Sequence, residues 1–150
     1  MEDPVKTRSI PIFCTLVFLL LGLSGSVFAQ ELELAPFSSD GCSLFPDGPP
    51  QNPEKWRDCC FKHDRAYWLG GTYAERLQAD DDLRACIAEV ENPALAEAMW
   101  AGVRAGGSPF WPTPFRWGYG WPYLRGYQAL TDQERNRAEA LISTETKPSP

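Results

Sequence analysis

The sequence predicts an all-α domain built on a disulfide-stapled antiparallel pair of helices. Three observations support this prediction: several stretches with helical periodicity and marked ends, a turn of only three residues between the first two of them, and four cysteines on or beside that pair. Of the 150 residues, 43% are hydrophobic and 23% are charged, which is typical of one ordinary globular domain.

The first 29 residues are interpreted as a signal peptide. Two basic residues precede an apolar run over residues 10–23, and Val27 and Ala29 suit cleavage after Ala29. The alternative is an uncleaved membrane anchor, but the run is short for a span and no stop-transfer charges follow it. We therefore expect a secreted or periplasmic protein whose mature chain starts at Gln30 and whose domain covers residues 30–143.

The mature chain keeps four cysteines, and an even number in an oxidising compartment predicts two disulfides. A bond between the neighbours Cys59 and Cys60 is geometrically unfavourable, so Cys42 and Cys86 should each bond one of that pair. A zinc site is the alternative use of four cysteines, but adjacent thiolates do not match the usual spacing of zinc ligands. The disulfides should therefore fasten the central helix on both sides.

The central helix is predicted for residues 53–71. Asn52 suits its N-cap, Pro53 its first helical position and Gly70 its end. One face carries four residues at helical spacing: Trp56, Cys60, His63 and Tyr67. That face should look inward. His63 is the single histidine of the chain, and on such a face a histidine is by default only a satisfied core residue, so its role depends on what lies opposite.

The second helix brings a carboxylate to the first. A capping box at Thr72 and Glu75 opens it, and the turn before it is so short that the two helices must form an antiparallel hairpin. Asp80, at the edge of the second helix's apolar face, should then lie near His63 and Tyr67. A carboxylate in that position needs a partner, and these two side chains are the candidates.

Two further helices complete the predicted core. The third has Asn92 as N-cap and ends before Gly106, while the fourth starts at a capping box at Thr131 and runs to about residue 143. Residues 144–150 are expected to form a disordered tail.

Two segments lack helical periodicity. Residues 40–52 are dense in Gly, Pro, Asp and Ser and are predicted to form a loop that Cys42 fastens to the central helix. Residues 108–127 are rich in aromatic residues and proline and are expected to be irregular or extended. We interpret that second segment as an interfacial patch for lipid headgroups, as the wall of an acyl-chain slot, or as a cover over the helical core.

The residues on the hairpin suggest hydrolytic chemistry. A neutral imidazole takes a proton from water near pH 7, and a carboxylate on its other nitrogen fixes the tautomer and stabilises the imidazolium. Asp80 suits that role for His63. Asp64, about 100° further around the helix, would serve a metal together with carbonyls of the loop over residues 40–48. Oxygen ligands suit Ca²⁺, which polarises an ester carbonyl and stabilises an oxyanion.

The central helix carries the motif C-C-x-x-H-D-x-x-Y, made by Cys59, Cys60, His63, Asp64 and Tyr67. This motif resembles the catalytic helix of secreted phospholipase A2. The resemblance extends over residues 40–88, because Asp80 lies six residues before Cys86, as the family's second catalytic carboxylate does before a cysteine. The short hairpin and the low disulfide count look more like the compact bacterial and fungal members.

The resemblance implies a calcium-dependent lipid esterase that hydrolyses the sn-2 ester of glycerophospholipids at a membrane surface. It implies that His63 activates water, that Asp80 orients His63, and that Tyr67 hydrogen-bonds Asp80. It implies calcium ligation by Asp64 and by the carbonyls of three loop residues, Gly41, Ser43 and Phe45. It also implies the disulfide pairs Cys42–Cys60 and Cys59–Cys86.

Two other interpretations stay open. The loop after Cys42 has few glycines, which favours a phospholipase-like module that binds membranes or proteins without catalysis. The other interpretation is a stapled helical domain in which Asp80 merely satisfies His63 in the core. The net charge of −6 and the lack of a basic run argue against nucleic acid as a partner, and we expect a monomer.

Overall fold

The computed structural model describes residues 33–145, so the predicted signal peptide over residues 1–29 and the end of the predicted tail lie outside it. The described residues form four helices and no strand: α1 Arg57–Leu69, α2 Tyr73–Val90, α3 Pro93–Gly106 and α4 Asp132–Glu145. The all-α prediction is confirmed for this part of the chain. Between residues 33 and 145, no helix has the length and apolar character needed to cross a membrane.

The prediction of where α1 begins was wrong by four residues. Asn52 does not cap a helix, because its carbonyl accepts the N–H of Lys55 in a turn. Trp56 donates its backbone N–H to the Asp47 carbonyl at 2.9 Å and its indole N–H to the Pro46 carbonyl at 2.6 Å. The preceding loop therefore holds Trp56 outside the helix, and α1 starts directly after it.

The other helices start where the sequence signals predict. Thr72 and Glu75 form the capping box of α2. The Asn92 side chain accepts a backbone N–H of the first turn of α3 at 2.9 Å. Thr131 accepts the N–H of Glu134 at 3.2 Å and donates its own N–H to that side chain at 2.8 Å. Each cap satisfies donors that the first turn leaves free and stabilises its helix by about 1 kcal/mol.

Two disulfides hold α1 in place. Cys59, near the start of α1, is bonded to Cys86, near the end of α2, which together with the short turn makes the two helices antiparallel. Cys60 is bonded to Cys42 in the loop before α1. These are the pairs that the resemblance implies. Helix α1 is thereby linked both to α2 and to its preceding loop.

Two apolar clusters lie along α1. The first contains both disulfides, Trp56 and apolar side chains of α2 and α3 such as Ile87 and Met99. The second surrounds Trp68, which is fully buried, and joins Leu34 to Trp121 and to α4. Tyr67 belongs to a smaller group between the two clusters. One face of α1 and its neighbours are therefore buried along the whole helix.

Residues 108–127 form neither helix nor strand and pack over the end of α1. The N–H groups of Gly118 and Gly120 donate to the carbonyls of the last α1 turn at 2.6 and 3.1 Å. The buried indoles of Trp117 and Trp121 donate at 2.9 and 2.7 Å to carbonyls in and just after that turn. The segment thus satisfies the carbonyls at the C-terminus of α1. Three of its aromatic side chains stay exposed: Phe110, Trp111 and Tyr123.

Candidate active site

The helical hairpin brings His63 and Asp80 together in the interior. His63 Nε2 lies 3.0 Å from Asp80 Oδ1, and Asp80 is wholly buried while His63 is 8% exposed. Tyr67, one turn after His63, donates its hydroxyl to the same carboxylate oxygen at 2.6 Å. The three residues predicted to be catalytic therefore form one hydrogen-bonded group. Burial and the Asp80 charge raise the pKa of Tyr67, so the phenol stays protonated and remains a donor.

Two arginines that the sequence interpretation missed complete the surroundings of Asp80. Arg104 Nε, from α3, lies 2.9 Å from Asp80 Oδ2 in an ion pair whose angle does not suit a hydrogen bond. Arg76 Nε lies 3.9 Å from the same oxygen and donates to the Tyr67 hydroxyl at 3.1 Å. These cations offset the electrostatic penalty of burying the carboxylate. Arg76 precedes Asp80 by one helical turn, a spacing visible in the sequence, whereas no local pattern points to Arg104.

The contact with Asp80 determines which nitrogen of His63 is basic. Because Nε2 faces the carboxylate, Nε2 carries the proton and Nδ1 is the acceptor; the tautomer follows from this geometry. Among the described residues nothing hydrogen-bonds Nδ1. The His63 side chain lines a cleft of about 250 Å³. Nδ1 is therefore the atom that can meet a water molecule in that cleft.

The cleft lies between α1, α3 and the loop before α1. Most of its wall is apolar, with side chains from four parts of the chain: Phe45, Leu83, Met99, Val103 and Phe115. Asp64 is the one charged side chain among the described lining residues, and it lies with His63 and Tyr67 on the α1 wall. An apolar cleft with a few convergent polar groups is the usual form of a small-molecule site.

Asp64 turns toward the segment that precedes α1. It is 9% exposed, and its Oδ2 accepts the hydroxyl of Ser39 at 2.6 Å. Burial, together with the charges of Asp40 and Asp47, raises the pKa of Asp64 to about 7, although the hydrogen bond from Ser39 lowers it. A carboxylate that is both desolvated and surrounded by negative charge gains free energy when a cation binds beside it.

The predicted calcium loop borders the same cleft. Asp64 and the three residues whose carbonyls are the proposed ligands all line this cleft: Gly41, Ser43 and Phe45. The loop is fastened by the disulfide of Cys42 and by Asp47, whose carboxylate accepts the Cys42 N–H at 2.7 Å. Leu44 adopts a positive φ of 60° at the loop tip. The loop and Asp64 therefore border the same cleft, although the loop is not rich in glycine.

The proposed ligands have the chemistry of a site for a hard cation. Within residues 33–145, no three His, Cys, Asp or Glu side chains are grouped as metal ligands, so a cation here would draw on loop carbonyls as well as on Asp64. Those donors are all oxygen atoms, the type that Ca²⁺ prefers. The sequence interpretation missed two residues at this end, Ser39 and Asp47. Ser39 contacts Asp64 across 25 positions of sequence, whereas Asp47 accepts the Cys42 N–H within the same loop.

The arrangement combines a histidine base, a carboxylate that orients it and a set of oxygen donors beside an apolar cleft. Such a set can activate water against an ester whose apolar part lies in the cleft. Comparisons with protein-family models, curated proteins and solved structures find no match for this chain. Its function must therefore be inferred from the residues of the cleft.

Proposed function

We propose that this chain is a secreted, Ca²⁺-dependent, phospholipase A2-like esterase that hydrolyses the sn-2 ester of glycerophospholipids. The observation that carries the proposal is the contact of 3.0 Å between His63 Nε2 and Asp80 Oδ1, which leaves Nδ1 without a protein partner in a residue that lines an apolar cleft. The C-C-x-x-H-D-x-x-Y motif supports the lipid substrate.

Hydrolysis starts when His63 Nδ1 takes a proton from water while the water oxygen attacks the ester carbonyl carbon. Asp80 keeps the other proton on Nε2 and stabilises the imidazolium, and Tyr67 fixes the Asp80 carboxylate. The imidazolium then gives its proton to the oxygen of the leaving alcohol as the ester bond breaks. Fatty acid and lysophospholipid leave, and His63 is neutral again.

A calcium ion would be held by Asp64 and by the carbonyls of Gly41, Ser43 and Phe45. When bound, it supplies positive charge that polarises the ester carbonyl and neutralises the phosphate. The oxygen-only donors and the raised pKa of Asp64 support this ion. Ser39 restrains the Asp64 carboxylate through its hydrogen bond, so that one orientation is favoured before the ion arrives.

The test is fatty-acid release from phosphatidylcholine vesicles in millimolar calcium. His63→Gln should lower the rate at least about 100-fold, because a general base contributes that much and no second histidine can replace it. The matched control is Lys62→Gln, at an exposed neighbouring position of α1, which should stay within about twofold of wild type. A wild-type protein without activity, or an active His63→Gln variant, contradicts the proposal.

The second candidate is a membrane-binding module without catalysis. It is favoured by Leu44, which is 92% exposed at the loop tip beside the cleft and would enter a lipid surface with or without turnover. Calcium titration by thermal shift separates the candidates. A shift that Asp64→Asn abolishes supports the enzyme, whereas vesicle binding without any calcium response supports the module.

A further inference from the structure

Two glycines leave part of the cleft wall without side chains. Gly102 and Gly106 lie one helical turn apart on α3, and both line the cleft. A Cβ atom placed on either one would meet no atom within 4 Å, and neither has a positive φ. Neither packing nor backbone conformation therefore requires glycine at these two positions.

The adjacent Gly107, in contrast, is a position where the structure requires glycine. A Cβ atom there would overlap the ring of Tyr67, so only glycine fits against that side chain. Gly106 is the last residue of α3, where glycine is common. Gly102 lies inside the helix, where glycine is destabilising relative to alanine. Gly102 is thus an unfavourable choice that the fold itself does not explain.

The space in front of Gly102 belongs to the cleft that holds the reactive nitrogen. His63 is more than nine-tenths buried and lines this cleft, and its Nδ1 has no hydrogen-bond partner among the described residues. The α3 wall beside Gly102 presents the apolar side chains of Met99 and Val103. No charged group of α3 lines the cleft. An apolar chain is therefore the kind of ligand that fits between His63 and the part of the α3 wall that has no side chains.

We propose that Gly102 seats the acyl chain of the substrate. Three lining positions of α3 have a methyl group or no side chain at all: Ala98, Gly102 and Gly106. The space left in front of them admits the acyl chain beside His63. Gly102 then sets how bulky an acyl group the cleft accepts. The consequence for catalysis rests on the proposed esterase function, but binding of the chain itself needs no turnover.

Binding of a fluorescent fatty acid tests this proposal. Gly102→Leu fills the space, and Ala101→Leu is the matched control, since it adds the same side chain at an exposed neighbouring position that does not line the cleft. Gly102→Leu should weaken binding at least about tenfold, and Ala101→Leu less than about twofold. Leucine is a better helix former than glycine, so Gly102→Leu should melt at or above the wild-type temperature.

A second variant keeps the test decisive if Gly102→Leu does not fold. Gly102→Ala adds one methyl group and should weaken fatty-acid binding less than Gly102→Leu does. Its melting temperature should be a few degrees above that of wild type. If the chain is an active esterase, Gly102→Leu should also lower the ratio of long-chain to short-chain phosphatidylcholine hydrolysis about tenfold.

The outcomes separate this proposal from the esterase function. Equal binding by wild type and Gly102→Leu, or no binding of the fatty acid by wild type, overturns it whether or not the protein hydrolyses phospholipid. A third outcome is that wild type binds the fatty acid, Gly102→Leu does not, and wild type releases no fatty acid from vesicles. That result supports the role of Gly102 in binding the acyl chain and contradicts the esterase function.

Discussion

Each oxygen of Asp80 has its own set of partners. Oδ1 is shared by His63 and Tyr67, while Oδ2 faces Arg104 and, at longer range, Arg76. The first set orients His63, and the second keeps a buried charge in place. Because Arg104 does not line the cleft, it would act on the proposed hydrolysis only through Asp80.

Arg104→Gln should therefore lower kcat about tenfold and leave KM nearly unchanged, since Asp80 loses its ion-pair partner without any loss of substrate contact. Arg104→Lys should restore part of kcat. The matched control is Arg84→Gln: Arg84 also lies over the Trp100 ring and pairs with Asp81, but it does not reach Asp80. Steady-state kinetics of the three variants provides the measurement, and a change confined to KM would show that Arg104 does not position Asp80.

Asp64 makes stability depend on pH in calcium-free solution. Its pKa is about 7 in the folded protein and 3.8 as an ordinary value. Between these values the folded state binds more protons than the unfolded state, so the free energy of unfolding should fall as pH rises from 5 to 8. Thermal melts in a chelator should show this decline, and a stability that rises over this range would contradict it.

Asp64→Asn should remove the decline of the free energy of unfolding between pH 5 and 8. Its melting temperature at pH 8 should exceed that of wild type by on the order of 5 °C, because the neutral amide avoids a buried charge. At pH 5, where wild-type Asp64 is mostly protonated, the difference should be small. Asp82→Asn, at an exposed carboxylate of α2, is the control and should melt like wild type at both pH values.

Among the elements, α1 depends on other parts of the chain at both ends. No side chain caps its N-terminus, and the loop before it is held by Asp47 and by contacts of Trp56. Its C-terminal carbonyls are satisfied by the aromatic segment over residues 108–127. The helix that carries His63 is therefore positioned by tertiary contacts, while α2, α3 and α4 carry their own caps.

Asp47→Ala should weaken calcium binding about fivefold to tenfold. The Cys42 N–H loses its acceptor, so the loop that carries the proposed carbonyl donors is less ordered, and one negative charge near the ion is gone. The control is Glu54→Ala, because Glu54 also pairs with Arg57 but does not contact the loop backbone at Cys42. Isothermal calorimetry measures both affinities, and equal values for the two variants would exclude this role for Asp47.

In the whole molecule, the two apolar clusters along α1 are secured differently. Both disulfides lie in the first cluster, which also borders the cleft, whereas the second, around Trp68, relies on packing with α4 and the aromatic segment. The second cluster lies outside the cleft lining, so a substitution at its edge should affect stability more than it affects the cleft.

Leu130→Ala should lower the free energy of unfolding by about 2–3 kcal/mol, because Leu130 is 8% exposed in the second cluster and alanine leaves a cavity. The rate of fatty-acid release well below the melting temperature should stay near that of wild type. Leu124→Ala, at a leucine that is 66% exposed, should change stability by less than about 0.5 kcal/mol. Denaturant unfolding of the two variants gives the comparison.

Local signals predicted much of this architecture. The caps at Thr72, Asn92 and Thr131 satisfy donors within their own helices, and so they could be recognised one segment at a time. The meeting of His63 and Asp80 followed from a short turn, which leaves two helices little freedom. The contacts that could not be predicted join residues far apart in the chain.

The start of α1 is one such case, since a backbone carbonyl of the loop determines it and backbone groups leave no trace in the residue pattern. Arg104 is another, because its approach to Asp80 depends on how α3 crosses the hairpin. Ser39 reaches Asp64 across 25 positions of sequence. No periodicity relates residues at such separations, and each was found only in three dimensions.

The capping of α1 by a later segment bears on when the end of α1 can fold completely during biosynthesis. The indole of Trp121 reaches back 52 positions to the end of α1, and the indole of Trp117 reaches back 46 positions to the turn after it. Until residues 117–121 have emerged and docked, the turn of α1 that bears Tyr67 lacks these partners. We therefore expect the end of α1 to reach its final position only after residues 117–121 are available for folding.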